Sequence, residues 1–273
     1  MSNERIAILG AGNMGRALIA GLLRSGTRPE ALAVGESLAA ARESLAREFG
    51  VSASADNQAA VRDARLVVLA IKPYQVEAVL RPLAAAWRER PPLIISIVAG
   101  VRIAQLADWA GAGVPVMRAM PNRPALVGAG ASGLYAPPGL SAELRAAAER
   151  LLRSVGEVVW VEHEDLIDAV TAVSGSGPAY FFLLAELMAE AGRQLGLNTE
   201  AARRLATLTL YGAGLMAHEP DADLARLREQ VTSPGGTTAA ALQVFAAADL
   251  PGIVARALAA AARRGSELAA AHH

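Results

Sequence analysis

Short apolar runs alternate with amphipathic stretches along the first 160 or so residues of the chain. Near-continuous Val, Ile and Leu in runs this short is typical of strands buried on both faces of a parallel sheet that crossover helices cover. The predicted strands are residues 6–9, 32–34, 66–71, 93–98, 114–117 and 158–161. Helices are expected to begin near Asn13, Ser37, Tyr74, Ile103 and Ser141. The pattern predicts an α/β domain with a mostly parallel sheet.

After about Asp165 the strand pattern stops, and long Ala- and Leu-rich helices follow. We therefore predict an α/β domain over residues 1–163 and an all-α C-terminal domain over residues 164–273. The first long helix, residues 179–195, is apolar nearly all round, with Glu186, Glu190 and Arg193 on one line. Such a helix needs cover on several sides. We expect a homodimer or higher homo-oligomer formed through the helical domain.

Composition narrows the possible partners. The 273 residues carry 26 basic and 26 acidic side chains, so the formal net charge is zero. Because no overall positive potential attracts nucleic acid or an anionic membrane surface, neither is expected as a partner. The absence of cysteine excludes disulfides and thiolate zinc sites, and no metal site is expected. We judge the apolar stretches shorter than the roughly 18 residues of a membrane span. The N-terminus lacks a signal-peptide pattern, so a cytoplasmic location is expected.

A glycine motif follows the first predicted strand. Gly10, Gly12 and Gly15 are spaced as GxGxxG and lead directly into a helical pattern. In this motif the glycines serve a tight turn, close approach of the backbone to a pyrophosphate, and close packing of helix on strand. Free N–H groups at the start of the helix bind the phosphates. The first domain is therefore predicted to be a Rossmann-type domain that binds NAD(P).

The residues after the second strand bear on the choice between NADH and NADPH. Glu36 lies 21 residues beyond Gly15, where a carboxylate binds the 2′-hydroxyl of NAD and repels the 2′-phosphate of NADP. This favours NADH. Ser37, Asn57 and Arg42 would reach a 2′-phosphate if Glu36 turned outward, although Arg42 also fits a solvated helix face. NADPH or NADH is the predicted cofactor.

Two further loops are candidates for the cofactor site, because ligands of doubly wound sheets lie beyond the carboxyl ends of the strands. The ammonium of Lys72, the only lysine in the chain, would point at the nicotinamide ribose or the pyrophosphate, or simply lie on the surface. The predicted cofactor-binding residues are Leu9, Gly10, Ala11, Gly12, Asn13, Met14, Gly35, Glu36, Ser37, Asn57, Ala70, Ile71, Lys72, Pro73, Ile97, Val98 and Ala99.

Two segments rich in Gly, Ser and Thr interrupt the helical half, SGSGPAY at residues 174–180 and VTSPGGTT at residues 231–238. Each directly precedes a helix. Small residues there leave the N–H groups of the helix start open, so that each segment either binds an anion or serves as an ordinary cap.

These segments, together with the glycine motif, IKP at residues 71–73, RAMPN at 118–122 and EDLIDAVT at 164–171, resemble the pyrroline-5-carboxylate reductase family over nearly the whole chain. The resemblance implies reduction of the C=N bond of 1-pyrroline-5-carboxylate to L-proline by NAD(P)H, the last step of proline biosynthesis. The implied catalytic residue is Thr238, as a hydroxyl donor near the substrate nitrogen. The implied substrate-binding residues are Glu164, Gln230, Ser233, Gly236, Thr237 and Thr238.

Several residues depart from the family pattern, and other readings stay open. Arg123 stands where the family usually has Thr, and Tyr74 where Gln is frequent. The acidic residues at 162–168 also fit a helix N-terminus that they stabilise. A β-hydroxyacid-dehydrogenase-like oxidoreductase is a rival, but it resembles enzymes with a catalytic lysine in the helical half, and no lysine follows Lys72. A sensor that binds NAD(P) without turnover is the second alternative.

Overall fold

The computed structural model describes residues 4–270 of the chain. Eight strands form one sheet in the order β3-β2-β1-β4-β5-β6-β7-β8, and β1 to β6 run parallel to one another. β7 is antiparallel to β6, and β8 is parallel to β7. The strands are β1 Ile6–Leu9, β2 Leu32–Gly35, β3 Ser52–Ser54, β4 Leu66–Leu69, β5 Leu93–Ser96, β6 Val116–Met120, β7 Gly130–Tyr135 and β8 Gly156–Trp160.

Helices connect the strands and then continue alone to the end of the described chain. Short 3-10 turns precede β2, lie between β4 and β5, and join β6 to β7. The helices are α1 Asn13–Arg24, α2 Ala39–Phe49, α3 Asn57–Val61, α4 Val76–Leu80, α5 Ile103–Ala110, α6 Ala142–Arg153, α7 Leu166–Val170, α8 Gly177–Gln194, α9 Thr199–Ala217, α10 Leu224–Gln230, α11 Thr237–Ala247 and α12 Leu250–Ala270.

The sheet has a hydrophobic core on each face. α1, α2 and α6 pack on one face, where Leu18, Leu45 and Leu152 are buried. α3, α4 and α5 pack on the other, where Leu80 and Leu106 are fully buried. Because both faces are covered, the alternate residues of β1 and β4 point into different cores and are all apolar. The prediction of a mostly parallel sheet in an α/β domain is confirmed.

The predicted elements match best where the apolar signal is strongest. β1 has the predicted bounds, and Ser141 is the N-cap of α6, accepting a hydrogen bond from the Leu144 N–H at 3.3 Å. Two strands lacked a prediction, β3 and β7, because their sequences SAS and GASGLY contain almost no branched apolar residues. The apolar runs at 66–71 and 93–98 are longer than β4 and β5, since their last residues form the loops beyond the sheet.

The chain divides into two compact units. One contains the chain up to Gly175 and again from Ala261, and the other is Ser176–Ala260. This division differs from the expected boundary between 163 and 164. α7 stays with the first unit because Ile167 and Asp168 are buried there. The end of α12 also belongs to it, since the Ser266 hydroxyl donates to Asp168 at 2.8 Å.

The second unit is entirely helical and has almost no core of its own. Within residues 176–260 the only buried positions are Gly177, Ala202 and Ala206. The large apolar side chains of α8 are instead exposed, including Phe181, Phe182, Leu183, Leu187 and Met188. The expectation that α8 is covered on several sides is therefore not met within a single chain, and the cover must come from another surface.

One helical stretch in the described part of the chain, residues 166–194, is long and apolar enough to cross a membrane by length and composition, with a mean hydropathy of 1.2. Our expectation that every apolar stretch falls short of that length was therefore wrong. This stretch consists of α7, a π-helical turn at Thr171–Gly175 and α8. α11 and α12 taken together are also long and apolar enough, although the two helices are bent by 57° at the break between them.

Candidate active site

The glycine motif forms a tight turn from β1 into α1. Gly10 has φ +98°, and its N–H donates to the Gly35 carbonyl at 2.8 Å, which ties the turn to β2. A Cβ on Gly10 would lie 2.5 Å from the Ala70 carbonyl oxygen. A Cβ on Gly15 would collide with the Gly10 carbonyl oxygen. The turn therefore needs glycine at 10 and favours it at 15, as the motif predicted.

Gly12 differs from these two glycines because its open side has no neighbour. It is the N-cap of α1 at φ −68°, and a Cβ there would have no atom within 4 Å. No side chain caps α1, so the first N–H groups of the helix are available to a ligand. Neither packing nor strain calls for glycine at this position, whereas a pyrophosphate lying against the backbone does. The turn thus fits a dinucleotide.

Gly12→Val should weaken cofactor binding without weakening the fold. The added Cβ has no protein atom within 4 Å, and the two methyl groups beyond it extend into the space in front of the α1 N-terminus. We expect the dissociation constant for NAD(P)H to rise at least about tenfold, the loss of a few phosphate hydrogen bonds. Isothermal titration calorimetry measures it, and thermal unfolding without cofactor should stay at the wild-type midpoint. An unchanged dissociation constant would move the pyrophosphate away from this turn.

The residues predicted to bind the adenosine part of the cofactor lie together at the end of β2. A Cβ on Gly35 would collide with the Asn57 side-chain oxygen, so Asn57 lies directly over that strand end. Glu36 accepts a hydrogen bond from the Ala11 N–H at 3.0 Å. Arg42 donates from Nη1 to the carbonyls of Glu36 and Ser37. The structure brings these predicted residues together.

The loops after β4 and β5 are neighbours of the glycine turn. β4 and β5 pair with each other, and β4 also pairs with β1, so their carboxyl ends meet at one edge of the sheet. The side chain of Ile71 lies beside Gly10. Ile97 donates its N–H to the Leu69 carbonyl at 3.2 Å. Lys72 is exposed at the start of a 3-10 turn, where its ammonium is free to meet an anionic ligand.

Glu164, a predicted substrate residue, is engaged with the first unit. Its Oε1 accepts from Arg118 Nη1 at 3.0 Å and from the Ile103 N–H, at the start of α5, at 2.9 Å. Arg118 lies on β6 and is 2% exposed. Burial lowers the pKa of its guanidinium, and the charge and hydrogen bond of Glu164 oppose that change. These contacts hold Glu164 in place, and its role toward substrate stays a prediction.

A second group of charges surrounds the start of α7. Arg102 pairs with Asp165 and lies 4.0 Å from Asp168. The Arg102 guanidinium lowers the pKa of the Asp165 carboxyl by direct hydrogen bonding and by its charge. Asp168 also accepts from the Ser266 hydroxyl of α12. These acidic residues thus bind arginines and α12, and the side chain of Asp165, the N-cap of α7, makes no capping hydrogen bond.

Asn122 is a buried connector that the motif analysis did not single out. Its Nδ2 donates to the Ser174 carbonyl at 2.9 Å, and its Oδ1 accepts from the Ala131 N–H at 2.8 Å. It is 8% exposed. Asn122, which follows β6, thereby joins the start of β7 to Ser174. The next residue, Gly175, is the last of the first unit before the second unit begins.

Replacing Asn122 by Ala should destabilise the first unit. The change removes the side-chain partner of a half-buried carbonyl, that of Ser174, and of a half-buried N–H, that of Ala131, and each loss costs up to about 1–3 kcal/mol. We expect the free energy of unfolding to fall by about 2–4 kcal/mol, read from urea denaturation. Asn198→Ala is a matched control: it removes an exposed N-cap that accepts from the Ala201 N–H, and should cost only about 1 kcal/mol. Equal losses in the two variants would contradict the connecting role.

The other predicted substrate residues lie in the second unit, at the start of α11. Gly235 adopts φ +69°, and Gly236 is the N-cap with no side-chain hydrogen bond. The Gly236 N–H donates to the Ser233 carbonyl at 3.0 Å, which closes the turn. Thr237 and Thr238 form the first turn of α11. Gln230 ends α10 and is exposed.

This segment therefore presents an uncapped helix N-terminus with two hydroxyls. The first N–H groups of a helix have no intrahelical partner, and Gly236 has no side chain that could cap those of α11. Thr238 is half-buried and Thr237 is exposed. Such a terminus accommodates a small carboxylate, and a hydroxyl in its first turn can donate to an adjacent atom.

Sequence reasoning gave Arg118 and Asn122 no role of their own, although a signal was present for the first of them. Arg118 is the only charged residue in the strand VMRAM, and a charge at the centre of a buried strand requires a partner. Asn122 follows the strand and a proline, and nothing local identifies its two distant partners. Among residues 4–270 we find no cluster of His, Cys, Asp and Glu suited to a metal ion.

The fold and the glycine turn define an oxidoreductase that uses NAD(P)H, built from a Rossmann-type domain and a helical domain. Two family models match the chain: residues 5–100 match NADP oxidoreductase, coenzyme F420-dependent, and residues 164–268 match pyrroline-5-carboxylate reductase dimerisation. The pyrroline-5-carboxylate reductase of Pseudomonas aeruginosa is 47% identical over 269 residues, which is 98% of each chain. The chain belongs to the pyrroline-5-carboxylate reductase family, as the motifs indicated.

Solved structures agree with this membership. The pyrroline-5-carboxylate reductase from Coxiella burnetii superposes with a TM-score of 0.94 at 38% identity, covering 98% of this chain and 99% of that one. The pyrroline carboxylate reductase of Plasmodium falciparum, with NADP bound, has a TM-score of 0.82 at 26% identity, with 98% and 99% coverage. The helical half thus belongs to a dimerisation family, and homo-oligomerisation follows from it.

Proposed function

We propose that this chain reduces 1-pyrroline-5-carboxylate to L-proline, the last step of proline biosynthesis. The uncapped start of α11, with its Gly-Gly turn and Thr238 in the first turn, is the observation that carries the proposal. The substrate is a small cyclic imine with one carboxylate. A helix N-terminus binds that carboxylate without a basic side chain.

Residues of the second unit would hold the substrate. The N–H groups of Thr237 and Thr238 orient the carboxylate, while the Gly236 N–H stays bonded to the Ser233 carbonyl. Ser233 and Gln230 border the same turn. Reduction of the C=N bond places hydride on carbon and leaves a proton on nitrogen. A neutral imine nitrogen accepts a hydrogen bond from the Thr238 hydroxyl and takes its proton through it, with solvent returning a proton to the hydroxyl; an imine that is already protonated donates its N–H to the Thr238 oxygen and needs only the hydride. Glu164 belongs to the first unit, where Arg118 and the Ile103 N–H fix its carboxylate, and the resemblance to the family implies that it balances a protonated imine.

Residues of the first unit would hold the reductant. The N–H groups at the start of α1 bind the pyrophosphate, and the loops after β4 and β5 border the nicotinamide ribose. Lys72 adds a positive charge on that side. NAD(P)H supplies the hydride when it is bound. The protein contributes orientation and a fixed donor, which are the usual protein contributions to hydride transfer.

We also propose that the functional form is a homodimer or larger assembly built through α8 and its neighbours, acting in the cytoplasm. The exposed apolar face of α8, and the small number of buried residues in the second unit, support the assembly. A cytoplasmic location suits an enzyme that consumes NAD(P)H and makes an amino acid for protein synthesis. Cell fractionation with a specific antibody tests the location.

The proposed reaction is tested by mixing the purified chain with NADPH or NADH and 1-pyrroline-5-carboxylate. Loss of the reduced-nicotinamide absorbance, together with proline identified by mass spectrometry, is the expected result. The six-membered homologue, a cyclic imine acid with one more ring carbon, is the comparison substrate. Cofactor binding with no proline formed would favour a sensor, and faster reduction of the homologue would replace the proposed substrate.

A further inference from the structure

The carboxylate of Glu36 is held from two sides at the end of β2. Its Oε2 accepts from the Ala11 N–H of the glycine turn at 3.0 Å, and its Oε1 accepts from the Leu38 N–H at 2.9 Å. The side chain is half-buried. Ala11 and Leu38 lie on opposite sides of Glu36 in the chain. The two hydrogen bonds therefore hold the carboxylate against the glycine turn.

This position governs what the end of β2 can bind. In dinucleotide-binding folds the adenosine ribose lies at the end of the second strand, beside the glycine turn. A carboxylate there accepts hydrogen bonds from ribose hydroxyls. A 2′-phosphate has no proton to offer and carries about two negative charges at neutral pH. To turn away from such a phosphate, Glu36 would have to break its hydrogen bonds from the two backbone N–H groups and a longer one, at 3.4 Å, from the Ser37 hydroxyl.

Arg42 lies beside the same strand end, yet it does not neutralise Glu36 directly. Its Nη1 donates to the Glu36 carbonyl at 2.8 Å and to the Ser37 carbonyl at 2.6 Å. Among residues 4–270 its Nε and Nη2 make no hydrogen bond. The guanidinium is thus anchored by one nitrogen and keeps other donors for a ligand, in the planar arrangement that binds phosphate.

We infer that Glu36 makes NADH the preferred cofactor of this chain. We also infer that Arg42 binds the 2′-phosphate of NADPH once the charge of the Glu36 carboxylate is removed. The inference rests on the proposed reductase function and goes beyond it by assigning the cofactor and the residues that select it. The two side chains act in opposite directions on one subsite. Their removal should therefore change the affinities for NADH and NADPH in opposite directions.

The test measures dissociation constants of NADH and NADPH by isothermal titration calorimetry, with no imine present. We expect the wild-type chain to bind NADH at least about tenfold more tightly than NADPH, the effect of one charge contact. Glu36→Gln should tighten NADPH roughly tenfold and weaken NADH. Arg42→Gln added to Glu36→Gln should abolish the gain for NADPH, because the phosphate then has no guanidinium to meet.

Arg47→Gln provides the matched control. Arg47 lies on α2 with the half-buried Arg42 but is exposed, and none of its hydrogen bonds or ion pairs within the described residues reaches the strand end, so both dissociation constants should keep their wild-type values. Thermal unfolding without cofactor shows that each variant is folded. Wild-type protein that binds NADPH as tightly as NADH, or a Glu36→Gln variant that shifts both affinities equally, would overturn the inference. Proline formation with an NADPH preference would overturn it and leave the proposed reaction standing.

Discussion

Thr238→Ala should lower turnover by roughly 10- to 1,000-fold, the range found when one positioned hydrogen-bond donor or proton-transfer group is lost. Thr238 lies in the first turn of α11, next to the N–H groups proposed to hold the substrate carboxylate. Removing its hydroxyl leaves those amides in place, so the Michaelis constant for the imine should change far less than turnover. Steady-state kinetics with saturating reductant separates the two quantities.

Two further variants make the Thr238 result specific. Thr238→Ser keeps the hydroxyl and should recover most of the turnover. Thr209→Val removes a hydroxyl from α9 that donates only to the Leu205 carbonyl, one turn earlier in the same helix, and should leave turnover unchanged. Full activity of Thr238→Ala would remove the hydroxyl from the mechanism. A fall in cofactor affinity as large as the fall in turnover would indicate a distorted helix instead.

The α/β half of the fold was predictable because burial on both faces leaves a strong trace in sequence. β1, β2 and β4 consist of small and branched apolar residues throughout, and the glycine turn adds three glycines at fixed spacing. β7 was not predictable from its composition. Gly133 lies against the side chain of Val170 on α7, so the strand has a small residue where a large one was expected. That requirement comes from a helix distant in sequence.

The candidate site was predictable in parts that are local in sequence. The cap at Gly236 and the turn at Gly10 are each specified by a few neighbouring residues. The partners of Glu164 are not, because Arg118 and the Ile103 N–H reach it from β6 and from the start of α5. Local patterns thus identify groups that are able to bind a ligand. Only the fold shows which of those groups are already engaged with the protein.

Replacing Leu183 and Leu187 by Glu should convert the assembly to monomers. The two residues are one turn apart on α8, and are 54% and 56% exposed in the single chain. Fully burying each would stabilise an interface by about 1.5–3 kcal/mol, and a buried unpaired carboxylate reverses the sign. We expect the dissociation constant of the dimer to rise at least about 1,000-fold, which corresponds to about 4 kcal/mol. Sedimentation velocity at micromolar concentration measures it.

A charge on α8 outside the apolar face is the appropriate comparison. Gln194→Glu adds one negative charge, half of what the double variant adds, on the line of Glu186 and Glu190, and should leave the assembly intact. The double variant should also lose helical circular dichroism, because the second unit has only Gly177, Ala202 and Ala206 buried and depends on its partner for a core. A variant that stays dimeric would place the interface elsewhere. A fully helical monomer would show that the second unit is stable even when no partner subunit buries its exposed apolar residues.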